Sequence, residues 1–297
     1  MLVALVVVAS AISPVFFSAA NWKDIFSAVT FIGILAVGQT FVAIGGGFSD
    51  VSVGSVLSIS AVLTLGLQTA IGAIGAVFVA LLVGLVVGSI NGVLVGVFRT
   101  NPVVVTIGTG IVVSGMALMY TGGNTQFGTS KALSAFGTGS ILGIPNIVLC
   151  FFGIGVLGQF ALSTTGFGRR LCATGGNYEA ARASAIRVRG VLLRAFVISG
   201  ITSAIAGVLM ASLLDQVNYD SGASFTFTSV AAVAVGGTSL FGGSGSVLRT
   251  VLGVAIIGVL NNIVVVAGWP LNFQVISTGA IILVTVAMDS WLRRRGA

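Results

Sequence analysis

Apolar runs long enough to cross a bilayer follow one another along this chain with hardly a charge inside them. A membrane-crossing helix needs about 20 predominantly apolar residues. About ten stretches meet or approach that length, at roughly 2–18, 27–45, 53–70, 73–97, 102–121, 141–162, 192–213, 228–240, 247–266 and 273–290. Hydrocarbon offers the backbone no hydrogen bonds, so such a chain folds as helices or as a closed barrel. Barrel strands alternate apolar and polar residues, and Ile71 to Phe98 does not alternate. The expectation is an all-α polytopic membrane protein of about ten transmembrane or half-spanning helices, in a single transmembrane domain over residues 1–297. The chain is 56% hydrophobic and 6% charged, against about 25% charged in soluble domains, too little polar surface to coat a soluble particle.

The third and eighth runs are short and interrupted by glycine, which predicts broken or re-entrant helices there. With an even number of runs and both termini cytoplasmic, the inner loops collect Arg99, the Arg169–Arg194 set, Arg249 and Arg293–Arg295. The outer loops keep only Lys23 and Lys131, together with Asp24, Asp215 and Asp220. That asymmetry is the positive-inside pattern. It also accounts for the net charge of +7, so nucleic acid is not expected as a partner and membrane lipid is. Leu2 to Ala11 resembles the apolar part of a signal peptide, yet no basic residue precedes it, and a first span is the better reading. Cys150 and Cys172 lie in unlike surroundings and suggest neither a disulfide framework nor a metal site.

Three places interrupt the apolar pattern without reading as ordinary loops. They are Gly45 to Ser55, Gly236 to Gly245, and a basic loop at about 163–191. Six of the eleven arginines fall between Arg169 and Arg194. Dense glycine breaks helices, and transporters place broken helices along the substrate path. Within the basic loop, Gly175 to Ile186 reads as a short helix. Asn177 caps it, Glu179 sits in its first turn where negative charge is favoured, and Ala180, Ala181 and Ala183 make a smooth surface flanked by arginines. It is a docking helix, a helix facing lipid headgroups, or a solvated connector.

These stretches resemble the ribose-type ABC sugar importer permeases. The segment Gly175-Gly176-Asn177-Tyr178-Glu179-Ala180-Ala181 through Ser184-Ala185-Ile186 is similar to that family's cytoplasmic coupling segment. Asp50-Val51-Ser52-Val53-Gly54-Ser55 resembles its Asp-Leu-Ser-Val-Gly-Ser. Ala231 to Gly243 is similar to its glycine-rich Gly-Gly-Thr-Ser-Leu stretch, and Asn261-Asn262 stands where the family has paired asparagines. Two departures are visible: an extra residue at Phe48-Ser49, and Ala185 in place of a glycine.

The resemblance implies a permease subunit of the bacterial inner membrane, paired with a second copy or a homologous permease. A cytoplasmic ABC ATPase would dock on Gly176, Asn177, Glu179, Ala180, Ala181, Ser184, Ala185 and Ile186. A periplasmic or extracellular sugar-binding protein would sit on the outer face. The chain itself would bind no cofactor, ATP and Mg belonging to the partner ATPase. Consistently, ATP hydrolysis needs a phosphate-cradling loop ending in Gly-Lys-Ser/Thr, and neither Lys23 nor Lys131 lies in one.

A translocation pathway for a neutral, hydroxyl-rich solute needs amides, hydroxyls and backbone groups. Candidates are Asp50, Ser52, Ser55, Asn91, Thr238, Ser239, Asn261 and Asn262, with Gln39, Thr40, Ser58, Thr106 and Thr109 nearby in sequence or kind. Some of these serve helix packing instead. Asp50 reads as a helix cap, a substrate contact or a proton-coupling group. Phe225 and Phe227, placed ahead of the eighth run, read as an outer gate or as interface anchors, and Trp22, Trp269 and Trp291 as anchors. The function expected is therefore inward transport of a monosaccharide or similar polyol. An ion-gradient-driven secondary transporter is the alternative, but it needs an intramembrane titratable pair, and Asp50 is the single candidate acid. No residue set suggests catalysis or a metal.

Overall fold

A computed structural model describes residues 2–270 and 272–295, without the side chains of Val8, Val286 and residues 288–295, where Trp291 lies. Helices dominate it. Among the described residues six helices are long and apolar enough to cross a membrane: α2 (Ala19–Ile44), α4 (Gln68–Gly96), α5 (Pro102–Thr121), α7 (Asn146–Thr164), α10 (Val188–Leu214) and α12 (Val247–Val266). Shorter apolar helices are α1 (Leu2–Ile12), α3 (Val53–Gly66) and α11 (Ala223–Val235), and α13 (Asn272–Arg295) closes the chain. Each expected run therefore has its helix. The first is cut short because Pro14 opens a separate 3-10 turn, Pro14–Phe17, capped by Ser13.

The structure corrects the expected pattern in three places. The basic loop is mostly helical: α7 runs to Thr164, α8 spans Gly166–Gly176, and α9 spans Tyr178–Ala183. The eighth run begins earlier than expected, so Phe225 and Phe227 lie inside the first turns of α11 rather than ahead of it. Outside the apolar runs there is also a short helix, α6 (Lys131–Thr138), and two minimal antiparallel ladders. In one, β1 (Gln126–Phe127) pairs with β4 (Gln216–Val217). In the other, β2 (Ser140–Ile141) pairs with β3 (Ile144–Pro145).

Two sets of four helices pack by the same scheme. α10 lies against α4, α3 and α2, while α2 lies against α12, α11 and α10. Within the sets, α3 packs on α4 and α5, and α11 on α12 and α13. α4 and α10 are antiparallel and nearly touch through their backbones. Gly84 faces Gly200, Gly88 faces Phe196, and Gly96 faces Arg189, with side-chain-free contact such that a Cβ on Gly200 would overlap the Gly84 carbonyl oxygen. Small residues allow this approach where lipid gives helices no hydrophobic reason to associate. α2 is the most enclosed long helix, its apolar core built from Ile34, Leu35, Ala36 and Phe41. The short helices α3 and α11 meet start to start. The Gly222 amide donates to Ser58 Oγ at 2.8 Å, and a Cβ on Gly54 would stand 2.6 Å from the Gly222 carbonyl oxygen.

Candidate functional site

The exposed arginines Arg99, Arg169, Arg170, Arg182, Arg187, Arg189 and Arg249 lie where α4 ends, α8 and α9 run, and α10 and α12 begin. At this end the three sequence interruptions meet. Gly243 N donates to the Ile44 carbonyl at 2.9 Å, which ties the loop after α11 to the end of α2. The end of α8 is wedged between them: a Cβ on Gly175 would overlap the Ile44 carbonyl oxygen and stand 2.7 Å from Gly243 N. A Cβ on Gly242 would come within 2.8 Å of Gly46 Cα and 2.6 Å of the Gly175 carbonyl oxygen. Gly46, Gly242 and Gly243 have φ of 84°, 97° and 83°, a region that favours glycine. Three loops thus touch backbone to backbone, and Phe48 packs edge-on against Phe241 beside them, ring centroids 6.1 Å apart.

From this junction α9 projects. Asn177 Oδ1 accepts the Ala180 amide at 2.9 Å, the cap expected from sequence. Ala181 is buried against Val188 and Leu192 of α10, so it seats the helix and presents nothing outward. Gly176, Glu179, Ala180, Ser184 and Ala185 are exposed and Ile186 is half-buried. Arg99 approaches from the end of α4, its guanidinium 4.8 Å from the Tyr178 ring centre and 3.9 Å from Glu179. Ala185 holds φ of 59°, which explains why a glycine suits that place. Burial pushes the Cys172 thiol of α8 above its ordinary range.

The candidate pathway residues fall into three separate places. After α2 the chain folds back, so that Gln39 Nε2 donates to the Asp50 carbonyl at 2.7 Å and Gln39 Oε1 accepts the Asp50 amide at 2.9 Å. The buried Asp50 carboxyl takes three donors: Ser52 N at 3.0 Å, Ser52 Oγ at 2.5 Å and Ser199 Oγ at 2.8 Å. It reaches no amide of α3 itself, so it ties the loop to α10 rather than capping α3. Asn91 Nδ2 donates to Ser52 Oγ at 2.9 Å and Asn91 Oδ1 accepts from Thr109 at 2.8 Å, carrying the network to α4 and α5. Ser55 Oγ accepts from Ser114 at 2.9 Å. Thr238 lies at the arginine end, accepting the Ser246 amide at 3.3 Å and sharing a 3.4 Å contact with Thr250. Ser239 Oγ accepts the Phe241 amide at 3.2 Å.

The third place is a cavity of about 720 Å³ between α2, α11, α12 and α13, which Phe225, Phe227, Asn261 and Asn262 line. Asn262 and Asn21 exchange two side-chain hydrogen bonds, at 2.8 and 3.2 Å, across α12 and α2. Sequence reasoning missed Asn21 and Ser199, and read Arg99 only as an inner-loop charge without its contact to α9. Asn21 is an amide at the head of an apolar run, a detectable signal, whereas nothing marks Ser199 among the other serines of α10.

Apolar helices long enough to cross a membrane, interrupted at glycine loops and gathered over an arginine-rich end, describe a polytopic membrane protein. Residues 21–286 match the family described as "Branched-chain amino acid transport system / permease component", and the chain belongs to it. It is 37% identical to the ribose import permease protein RbsC of Bacillus subtilis over 96% of this chain and 89% of that one. It is 36% identical to RbsC of Haemophilus influenzae over 98% and 91%, and 31% identical to the D-allose transport system permease protein AlsC of Escherichia coli over 96% and 88%. No solved structure matches. The chain is a multi-pass inner-membrane permease subunit of an ABC importer, a transport component rather than an enzyme, and such a subunit works with an ATPase and a substrate-binding protein.

Proposed function

We propose that this permease carries a monosaccharide or similar polyol inward, in a dimer with a second copy or a homologous permease, within lipid. Both termini and the arginine end face the cytoplasm, and the ten apolar helices are its transmembrane or half-spanning elements in one domain. ATP and Mg act in the partner ATPase, which grips α9 and levers the glycine junction as it closes. Asp50, Ser52, Asn91 and Ser55 then hold α3, α4, α5 and α10 in register while the passage switches.

One observation carries this reading. α9 buries Ala181 on α10 and turns a small-residue face, Ala180, Ser184 and Ala185, to the outside among exposed arginines. A lipid-facing helix needs an apolar outer face of bulk; this one offers a shallow seat for a protein. The test substitutes the exposed side only. Ala180→Trp and Ser184→Trp should cut co-purification of the ATPase at least several-fold while membrane insertion stays intact. Undiminished co-purification with undiminished substrate-stimulated hydrolysis would remove α9 from the docking role.

A further inference from the structure

The cavity between α2, α11, α12 and α13 combines apolar walls with a few polar groups. Its volume of about 720 Å³ lies in the range of small-molecule sites, which run to roughly 300–1,000 Å³ and are apolar apart from a few convergent polar groups. Three such groups line it with no side-chain hydrogen-bond partner among the described residues: the half-buried Asn261 side-chain amide and, at its exposed rim, the Ser224 hydroxyl and the Asp24 carboxylate. By contrast Asn21 and Asn262 satisfy each other. Beneath them α2 and α12 are in direct contact, since a Cβ on Gly258 would overlap Val29 Cγ1. The cavity is therefore closed on that side by a hydrogen-bonded amide pair over a helix crossing.

We infer that this cavity is a solute subsite inside the permease, taking one neutral, hydroxyl-rich molecule of about monosaccharide size. The inference rests on the importer reading and adds selectivity within the membrane subunit. An amide supplies donors and acceptors, a hydroxyl supplies both, and a carboxylate supplies acceptors. Together they complement a ring of hydroxyls. Phe225, held edge-on by Phe31 at 6.1 Å, and the exposed Phe227 offer apolar faces to the C–H side of such a ring. Among the described lining residues there is no cation, and Asp24 repels phosphate, so a phosphorylated sugar fits poorly. A purely apolar occupant would leave Asn261 and Ser224 without partners as it displaced their water.

The test uses the permease assembled with its ATPase and binding protein in proteoliposomes. A membrane-impermeant maleimide is applied from the outer side to Ser224→Cys, with the unsubstituted chain as background, in the presence of D-ribose, D-allose or D-ribose 5-phosphate. At least one neutral sugar is expected to slow labelling threefold or more, and the phosphorylated sugar is not. Unchanged labelling with both neutral sugars, or equal protection by the phosphorylated one, overturns the inference. Asn261→Phe, which fills the cavity, is expected to raise the KM for uptake of the protecting sugar at least tenfold, with ATPase co-purification and sugar affinity of the binding protein unchanged. Unaltered uptake in that variant overturns the subsite and leaves the importer standing. ATP-independent uptake by the unsubstituted complex overturns both. Native mass spectrometry showing a phospholipid that Asn261→Phe expels would assign the cavity to lipid and end the proposal.

Discussion

At the arginine end, three loops meet through bare backbone, and a methyl group on Gly175, Gly242 or Gly243 would collide with a neighbouring backbone. At the opposite end, α2 and α12, tied there by the Asn21–Asn262 pair, border with α11 and α13 a space lined by side chains. A joint made of backbone moves only as a unit, because it has no rotamers to absorb a displacement. A pocket made of side chains can change shape while its helices stay put. The difference suits a subunit that is pushed at one end and receives solute at the other.

The sharpest way to break that contrast is to place a side chain in the joint. Gly243 has φ of 83°, and a Cβ there would lie 2.8 Å from Gly176 Cα. A left-handed non-glycine residue costs roughly 1–2 kcal/mol, and overpacking typically adds about 1–3 kcal/mol. Gly243→Ala should therefore destabilise the folded permease by about 2–5 kcal/mol in chemical unfolding in mixed micelles. Substrate stimulation of the ATPase in the assembled complex should fall with it. The Cys172 thiol, covered by burial, should alkylate faster as α8 loosens. Stability and stimulation both near the unsubstituted values would show that the joint yields, and the contrast would fail.

A smaller effect is expected at the other end. Asn21 and Asn262 are both buried and bonded to each other. Asn262→Leu leaves the Asn21 amide short of a partner, which costs about 1–3 kcal/mol. Replacing both should cost much less than the two single changes summed, by a coupling of about 0.5–3 kcal/mol in a double-mutant cycle. Strict additivity would mean that the pair does not close the cavity. Asn21 also donates to the Phe16 carbonyl at 2.9 Å, so Asn21→Leu is expected to be the costlier single substitution.

The features legible in the sequence are the local ones. Helices α5 and α12 coincide with the expected runs, because each is a continuous apolar stretch ending at a polar or glycine signal. The start of α9 was readable from Asn177, since a cap is a local event between residues three apart. The glycine loops could be located but not joined: Gly46, Gly175 and Gly243 converge through the packing of α2, α8 and α12, and no local pattern encodes that. Asp50 reads from sequence first as a cap, and Ser199, 149 residues away, supplies the other half of its site. The cavity was half visible, since Asn261 and Asn262 stood out as amides in an apolar run, while the bond from Asn262 to Asn21 spans 241 residues.

The smallest effect lies between the two regions compared, where the chain leaves α9 for α10. Ala185 holds φ of 59°, a conformation that costs an L-residue roughly 1–2 kcal/mol. Glycine would remove that strain but widen the unfolded ensemble, which returns about 0.4–1 kcal/mol. Ala185→Gly should thus stabilise by about 0.5 kcal/mol, read as slower trypsin cleavage after Arg182 and Arg187. Glu179→Gln, which breaks only a surface contact with Arg99, should leave that rate nearly unchanged, exposed pairs contributing about 0–1 kcal/mol. If Ala185→Gly instead speeds cleavage, the turn is held by its alanine side chain rather than strained by it. The bend that carries a push from α9 into α10 would then be elastic, unlike the glycine joint beside it.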